Sequence, residues 1–410
     1  MITKLLEKKS VNIVFWLAVT AASVIVLRVL DMTNKQTVVF LIIALLAILI
    51  HLMRYNKNPD YLANDVLCLG KQSGRSSQYD YLRLIAASFV IITHSVQIDI
   101  LLENIGQDSM YFYCCAFMLT LSCNLIYVML SGALLLPYRD ESLGHFYLHR
   151  MPKVLIPLIV YYIWYVWQNK EFGTLGIGEI VLRIVGGTMD ESPHYWLIYT
   201  ILSLYIAFPF MRYMLKELPY RWLTALVVLS LVFMGITQFS PITVGISTFF
   251  SGWIGVAIMG YWVTREETKK AYPILIGIGL ISAVIICLLV VLREDYKTVA
   301  TNCSPFMALF SVGIFALIFK AGVFAKGNYL LRLLSKYSYA IILVHWWAIN
   351  FVTLGHFGIG SNTCGPLGII ISLAFTLLVC LGAAFIVDNL VVVVVSYAWD
   401  RLVGFFGFKN

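Results

Sequence analysis

The sequence predicts an all-α polytopic membrane protein of about twelve transmembrane helices. A ten-helix body is preceded by two extra helices, and both termini are expected in the cytoplasm. Three observations predict this. Apolar residues make up 60% of the 410 residues, charged residues 12%, and the mean hydropathy is +0.86, a composition outside that of soluble domains. Mostly apolar runs of roughly 17 residues or more recur along the chain, each long enough to cross a hydrocarbon core of ~30 Å as a helix. The basic residues alternate between the two sides, segment by segment.

Taken in order, the first two runs are 11–29 and 37–53. The first follows Lys8 and Lys9, is too long for a signal peptide and lacks a small-residue cleavage site, so it reads as a retained helix. Both carry little unusual polarity. The polar stretch 54–79, with Ser and Gly around 71–78, reads as a cytoplasmic linker, which sets 1–78 apart from a membrane domain over 79–410. The body follows as 80–99, 116–136, 154–168, 195–213, 222–239, 247–263, 273–292, 304–320, 337–354 and 366–387. Of these, 154–168 is short, and a further apolar stretch, 390–399, trails the last. Only 54–79 and 169–194 are soluble stretches of any size, and neither can bury a core of its own. No internal repeat of the kind transporters carry is visible.

Orientation follows from Lys and Arg. With the N-terminus inside, 22 of the 29 lie in cytoplasmic segments and 6 at outer ends or loops, Arg83 being the remaining one. The net charge of +8 is thus a topological signal and implies no nucleic-acid partner. The eight cysteines show no metal-ligand spacing, and no metal is expected. Cys303 and Cys364 both fall at outer ends, where a pair or two separate packing thiols are open readings.

Arg83 and His94 stand inside one apolar segment, 81–98. Eleven residues at about 100° each leave them ~20° apart around a helix, and roughly 16 Å apart along it. Ionisable side chains in a membrane segment are costly, so the pair reads as a functional site, against a snorkelling arginine and a packing histidine. His94 is ~21 Å from the cytoplasmic edge. His194 opens an outer helix end in Pro193-His194-Tyr195-Trp196, and His345 lies near mid-membrane. Three histidines at these depths can line one cavity, and histidine, with an ordinary pKa of ~6.5, suits proton transfer near neutral pH. For His194 the other reading is an interfacial capping role, and for His345, beside Trp346 and Trp347, a satisfied packing histidine is the favoured one. On the cytoplasmic side Arg139, His145, His149, Arg150 and Lys153 crowd one loop, as a membrane anchor or a phosphate-binding patch. Asp388-Asn389, at the inner end of the last helix, is a helix-end pair or a partner for that patch.

Six fragments in chain order carry a family resemblance. Tyr79-Asp80-Tyr81-Leu82-Arg83-Leu84-Ile85-Ala86, with ten residues between Arg83 and His94, resembles the signature first helix of the acyltransferase 3 superfamily. Val128-Met129-Leu130-Ser131-Gly132-Ala133-Leu134-Leu135-Leu136 is similar to its Ser-Gly helix, and His149-Arg150-Met151-Pro152-Lys153-Val154-Leu155-Ile156-Pro157 to its basic loop. His194-Tyr195-Trp196-Leu197-Ile198-Tyr199 resembles its outer His-x-Trp turn, Phe249-Phe250-Ser251-Gly252 its mid-chain helix, and Ser335-Lys336-Tyr337-Ser338-Tyr339 through His345 its late helix. The resemblance covers roughly 79–396; the two preceding helices depart from the pattern of many members.

The resemblance implies an integral membrane O-acyltransferase that moves an acetyl or other short acyl group from cytosolic acyl-CoA to a carbohydrate hydroxyl. Its implied cofactor is acetyl-CoA, its implied partners the bilayer and a carbohydrate or lipid-linked sugar, and its expected place the plasma membrane, the inner membrane of a bacterium. His94 and Arg83 would be catalytic, with Arg83, Arg150 and Lys153 on the cofactor phosphates. His194, Trp196, Tyr199 and His345 would contact substrate, and Ser131, Tyr199 or His345 would be the oxyanion donor. Oligomeric state is open. Two other classes fit part of the pattern: a secondary transporter or flippase of a small polar or glycan-linked solute, and a scaffolding subunit.

Overall fold

The computed structural model describes residues 5–29, 33–70, 76–168, 175–187, 189, 192–239, 252–293 and 303–406. Among them no strand occurs and nine helices are long and apolar enough to cross a membrane, with two shorter apolar helices, Trp253–Val263 and Pro305–Lys320. Together with the 17-residue helix Pro152–Gln168, these account for all twelve expected segments. The chain is a multi-pass membrane protein.

The first two helices are α1 (Lys9–Val29) and α2 (Asn34–Lys57), and α2 starts at a reciprocal capping box of Thr33 and Gln36. α3 (Ser77–Leu101) carries Arg83 and His94. The expected run 116–136 is longer and broken, forming α4 (Gln107–Thr120) and α5 (Cys123–Leu135). At the break Thr120 and Ser122 turn their hydroxyls back onto Ala116 and Leu119 carbonyls, a local competition that bends helices. Thr93, beside His94, bonds Thr120 at 2.9 Å and ties the break to α3.

Next come α6 (Leu143–His149), α7 (Pro152–Gln168) and α8 (Ile177–Gly186). α8 corrects the expectation of a soluble outer stretch over 169–194: its Ile177, Val181, Leu182 and Val185 are exposed while Ile180 is buried, as in an interfacial helix. One three-turn amphipathic segment is too short to register as an apolar run. A 3₁₀ turn, Pro193–Tyr195, leads into α9 (Trp196–Lys216), then α10 (Tyr220–Phe239), α11 (Trp253–Val263), α12 (Tyr272–Arg293) and α13 (Pro305–Lys320). α14 (Tyr329–Trp347) continues as a π-helix over Ala348–Leu354. α15 (Leu367–Val387) passes through a π-turn, Asp388–Val392, into α16 (Val393–Phe405), so the trailing apolar stretch extends the last helix rather than forming a loop. Of the residues that carried the resemblance, Phe249, Phe250 and Ser251 lie outside the described residues, as do Lys71 and Arg75 of the linker.

Two glycine contacts set the tightest packing. A Cβ on Gly132 would stand 1.9 Å from the Ala257 carbonyl oxygen, and one on Gly260 2.0 Å from that of Met129, so α5 and α11 touch backbone to backbone.

The N-terminal helices correct a second expectation. They were expected with little unusual polarity, yet Asn12, Thr20, Ser23 and His51 are buried in a core of Trp16, Phe40, Ala44, Ile48, Leu62 and Val66 that also takes in Leu390 and Val393. His51 stacks on Trp16, ring centroids 3.7 Å apart, and its Nε2 donates to the Asn389 carbonyl at 2.8 Å. The stretch read as a linker is also pinned: Arg332 donates to the Cys68 carbonyl, and Lys336 to those of Asp65 and Val66.

Candidate active site

α3 builds both ends of the site. At its first turns Arg83 Nη1 pairs with Asp80 at 3.1 Å, and Ser335 Oγ of α14 donates to the same carboxylate at 2.6 Å. Tyr127 reaches the Arg83 carbonyl. Asp80, one residue into the recognised motif, is therefore the arginine's immediate partner. Ala87 and Val90, on the same helix face, are buried between Arg83 and His94.

Eleven residues on, His94 meets His194 and His345. The centroids of His94 and His345 are 5.1 Å apart with near-parallel planes, His194 and His345 4.7 Å, and His94 and His194 6.4 Å. Trp346 closes against His94 edge-on and lies nearly parallel to His194. Helix α3, the 3₁₀ turn that leads into α9, and helix α14 each contribute one ring, so three segments separated by about 100 and 150 residues converge on one point.

Hydrogen bonds choose the tautomers. A carbonyl only accepts, so His345 Nδ1, 2.6 Å from the Ile342 oxygen, carries a proton, and so does His194 Nε2, 3.3 Å from the Leu343 oxygen. The other nitrogens, His345 Nε2 and His194 Nδ1, are buried lone pairs with no hydrogen-bond partner among the described residues. His94 Nδ1 lies 3.0 Å from Gln97 Oε1; a proton donated there leaves Nε2 as the base. His194 and His345 are buried, and His94 is half-buried.

The other residues expected at substrate have partners of their own. Trp196 is 40% exposed and packs on Trp253. Tyr199 donates to the Ile184 carbonyl of α8 at 2.5 Å. Ser131 donates to the Tyr127 carbonyl of its own helix. Of the three oxyanion candidates, Ser131, Tyr199 and His345 each spend a proton on a backbone carbonyl, and only His345 stands at the cluster.

At the opposite end, the basic loop encloses a cavity of about 340 Å³ lined by Glu141, His145, His149, Arg150, Lys153 and Tyr205. Arg139 lines an adjoining space with Asp140 and Ser142. Glu141, which sequence reasoning missed, organises this loop: it accepts from Arg150 Nε at 2.8 Å and from buried Arg212 Nη1 at 3.0 Å. Burial alone would raise its carboxyl, but the bonds and charges of Arg150 and Arg212 outweigh it and hold the group below its ordinary value. The signal available was an acidic residue inside a basic loop.

Among the described residues no group of three His, Cys, Asp or Glu is placed to hold a metal ion. Cys303 and Cys364 are free thiols.

A family model for an acyltransferase domain matches residues 77–385, and the chain belongs to the acyltransferase 3 family. No curated protein matches the chain. No solved structure matches it either.

Proposed function

We propose that this membrane acyltransferase takes an acetyl or other short acyl group from cytosolic acyl-CoA and delivers it to a hydroxyl of a cell-envelope or secreted carbohydrate. The observation that carries this reading is the convergence of His94, His194 and His345, in a chain that also holds a basic cavity around Arg150 and Lys153. CoA is charged and stays with the cytosol; its phosphates would rest on Arg150 and Lys153, with Arg83 as a further contact. The thin, neutral pantetheine arm would follow α3 toward His94.

His94 would then act as general base. It takes the proton of the acceptor hydroxyl as the oxygen attacks the thioester carbonyl; the new C–O bond forms, the C–S bond breaks, and the proton ends on the CoA sulfur. His94 acting instead as a transient acyl acceptor gives the same overall balance. The bacterial inner membrane, with acyl-CoA on one side and glycan on the other, suits this topology.

The test is to incubate purified protein with labelled acetyl-CoA and candidate glycans. Label is expected in a carbohydrate, and His94→Ala is expected to lower transfer on the order of 10³-fold while the protein still folds. Full activity in that variant would remove His94 from catalysis, and no labelled acceptor with acetyl- or succinyl-CoA would overturn the reading.

A further inference from the structure

One rung of α14 is shared with a side chain from another helix. The Tyr165 hydroxyl accepts from the Trp347 backbone N–H at 3.1 Å and donates to the Leu343 carbonyl at 3.1 Å. These two backbone groups are four apart, the donor and acceptor that close a single α-helical turn. A hydroxyl placed across such a pair loosens the ladder, a recognised cause of helix distortion. The π-helix begins one residue later, at Ala348. Short π segments concentrate at functional sites.

The Leu343 carbonyl does more than receive Tyr165. It also accepts from Tyr195 Oη at 3.1 Å and from His194 Nε2 at 3.3 Å. Three side-chain donors thus converge on one carbonyl oxygen two residues before His345. That oxygen determines which nitrogen of His194 holds the proton, and hence that the bare Nδ1 faces inward. Tyr165 lies in no motif that carried the family resemblance, and its ring packs at 5.8 Å from those of both His194 and Tyr195.

We propose that Tyr165 is a positioning residue of the acyl-transfer site: by holding the Leu343–Trp347 rung open it presents the Leu343 carbonyl to His194, which fixes that ring's tautomer and the start of the π-helix. This rests on the histidine reading above. Without the hydroxyl, the Trp347 N–H is left with the Leu343 oxygen alone, which then serves His194 less well.

The test is Tyr165→Phe in the full chain, which removes one oxygen and keeps the ring. Its kcat is expected to fall on the order of 10- to 100-fold, as for small misplacements of a reacting group, with KM for acetyl-CoA unchanged. Nitrogen-15 NMR of histidine-labelled protein supplies the readout that a merely structural role would not move. In the wild type His194 is expected as the Nε2–H tautomer, and in Tyr165→Phe as a mixture of both. An unchanged kcat, or a lost kcat with the wild-type tautomer retained, overturns the proposal. Should the variant not accumulate, the wild-type spectrum still decides, since an Nδ1–H tautomer at His194 contradicts the arrangement outright. A His94→Ala variant run alongside separates the cases: if that one is active, the histidine reading itself has failed, whatever Tyr165→Phe does.

Discussion

At the scale of single residues, charge in this protein is satisfied by near neighbours. Asp80 answers Arg83 and Ser335; Asp99, five residues past His94, accepts from Ser361 N and Oγ at 2.5 and 2.6 Å and from Asn104 at 3.1 Å. The outer loop after the π-helix is thereby clamped to the end of the helix that bears His94. Glu141 does the same for the cytoplasmic loop, where Arg212 is almost wholly buried and lies over the Phe146 ring at 5.0 Å. Glu141→Gln leaves that guanidinium without its counter-charge, so a loss of about 3 kcal/mol is expected at pH 7. The sign with pH follows from the depressed carboxyl. Its contribution is complete above the unfolded value of about 4.3 and disappears as pH falls through the lower folded one. Thermal melts of wild type and Glu141→Gln are therefore expected to differ at pH 7 and to converge as the pH falls through the lower folded value; a difference that persists in acid would mean the carboxylate is not the source.

At the scale of elements, three departures from regular helix shape the site. The α4–α5 break is tied to α3 beside His94, the α14 π-helix begins beside His345, and the α15 π-turn offers the Asn389 carbonyl to His51. Each was invisible as hydropathy, because a bulge or a bend keeps the same apolar residues. The Ser131-Gly132 pair was legible as a motif, but its physical role is packing. Gly132 admits the α11 backbone, and Ser131 bonds its own helix. Gly132→Ala drives a methyl into the Ala257 carbonyl, and overpacking of this kind costs about 3 kcal/mol where the neighbour is backbone. A lower melting midpoint and a reduced folded yield on size-exclusion chromatography are expected; an unchanged midpoint would show that α5 and α11 separate freely.

At the scale of the whole molecule, the chain holds a basic cavity in the loop before α7 and a histidine cluster drawn from three other segments. The two are predicted to be separable. Arg150→Ala combined with Lys153→Ala removes the two charge-assisted contacts proposed for the cofactor phosphates and is expected to weaken acetyl-CoA binding at least tenfold, while His94→Ala leaves that affinity intact. Calorimetric titration of acetyl-CoA into each variant checks this. Equal affinity in all three would return the cluster to a membrane-anchoring role. The N-terminal helices, outside the matched 77–385, are fastened to the same framework through His51, Asn389 and Tyr337, the last of which lies in α14 upstream of His345.

By itself, the sequence determined class, helix count and the three histidines that converge. Hydropathy and charge act locally, and a membrane makes each span answer for its own polarity. Tertiary structure alone decided that those rings meet, which of their nitrogens are bare, that Asp80 and Glu141 hold the arginines, and that Tyr199 is spent on the Ile184 carbonyl. Those outcomes depend on carbonyls and hydroxyls contributed by segments far apart in the chain, such as Tyr165 and Leu343. No spacing rule records where two such atoms meet until the helices have packed.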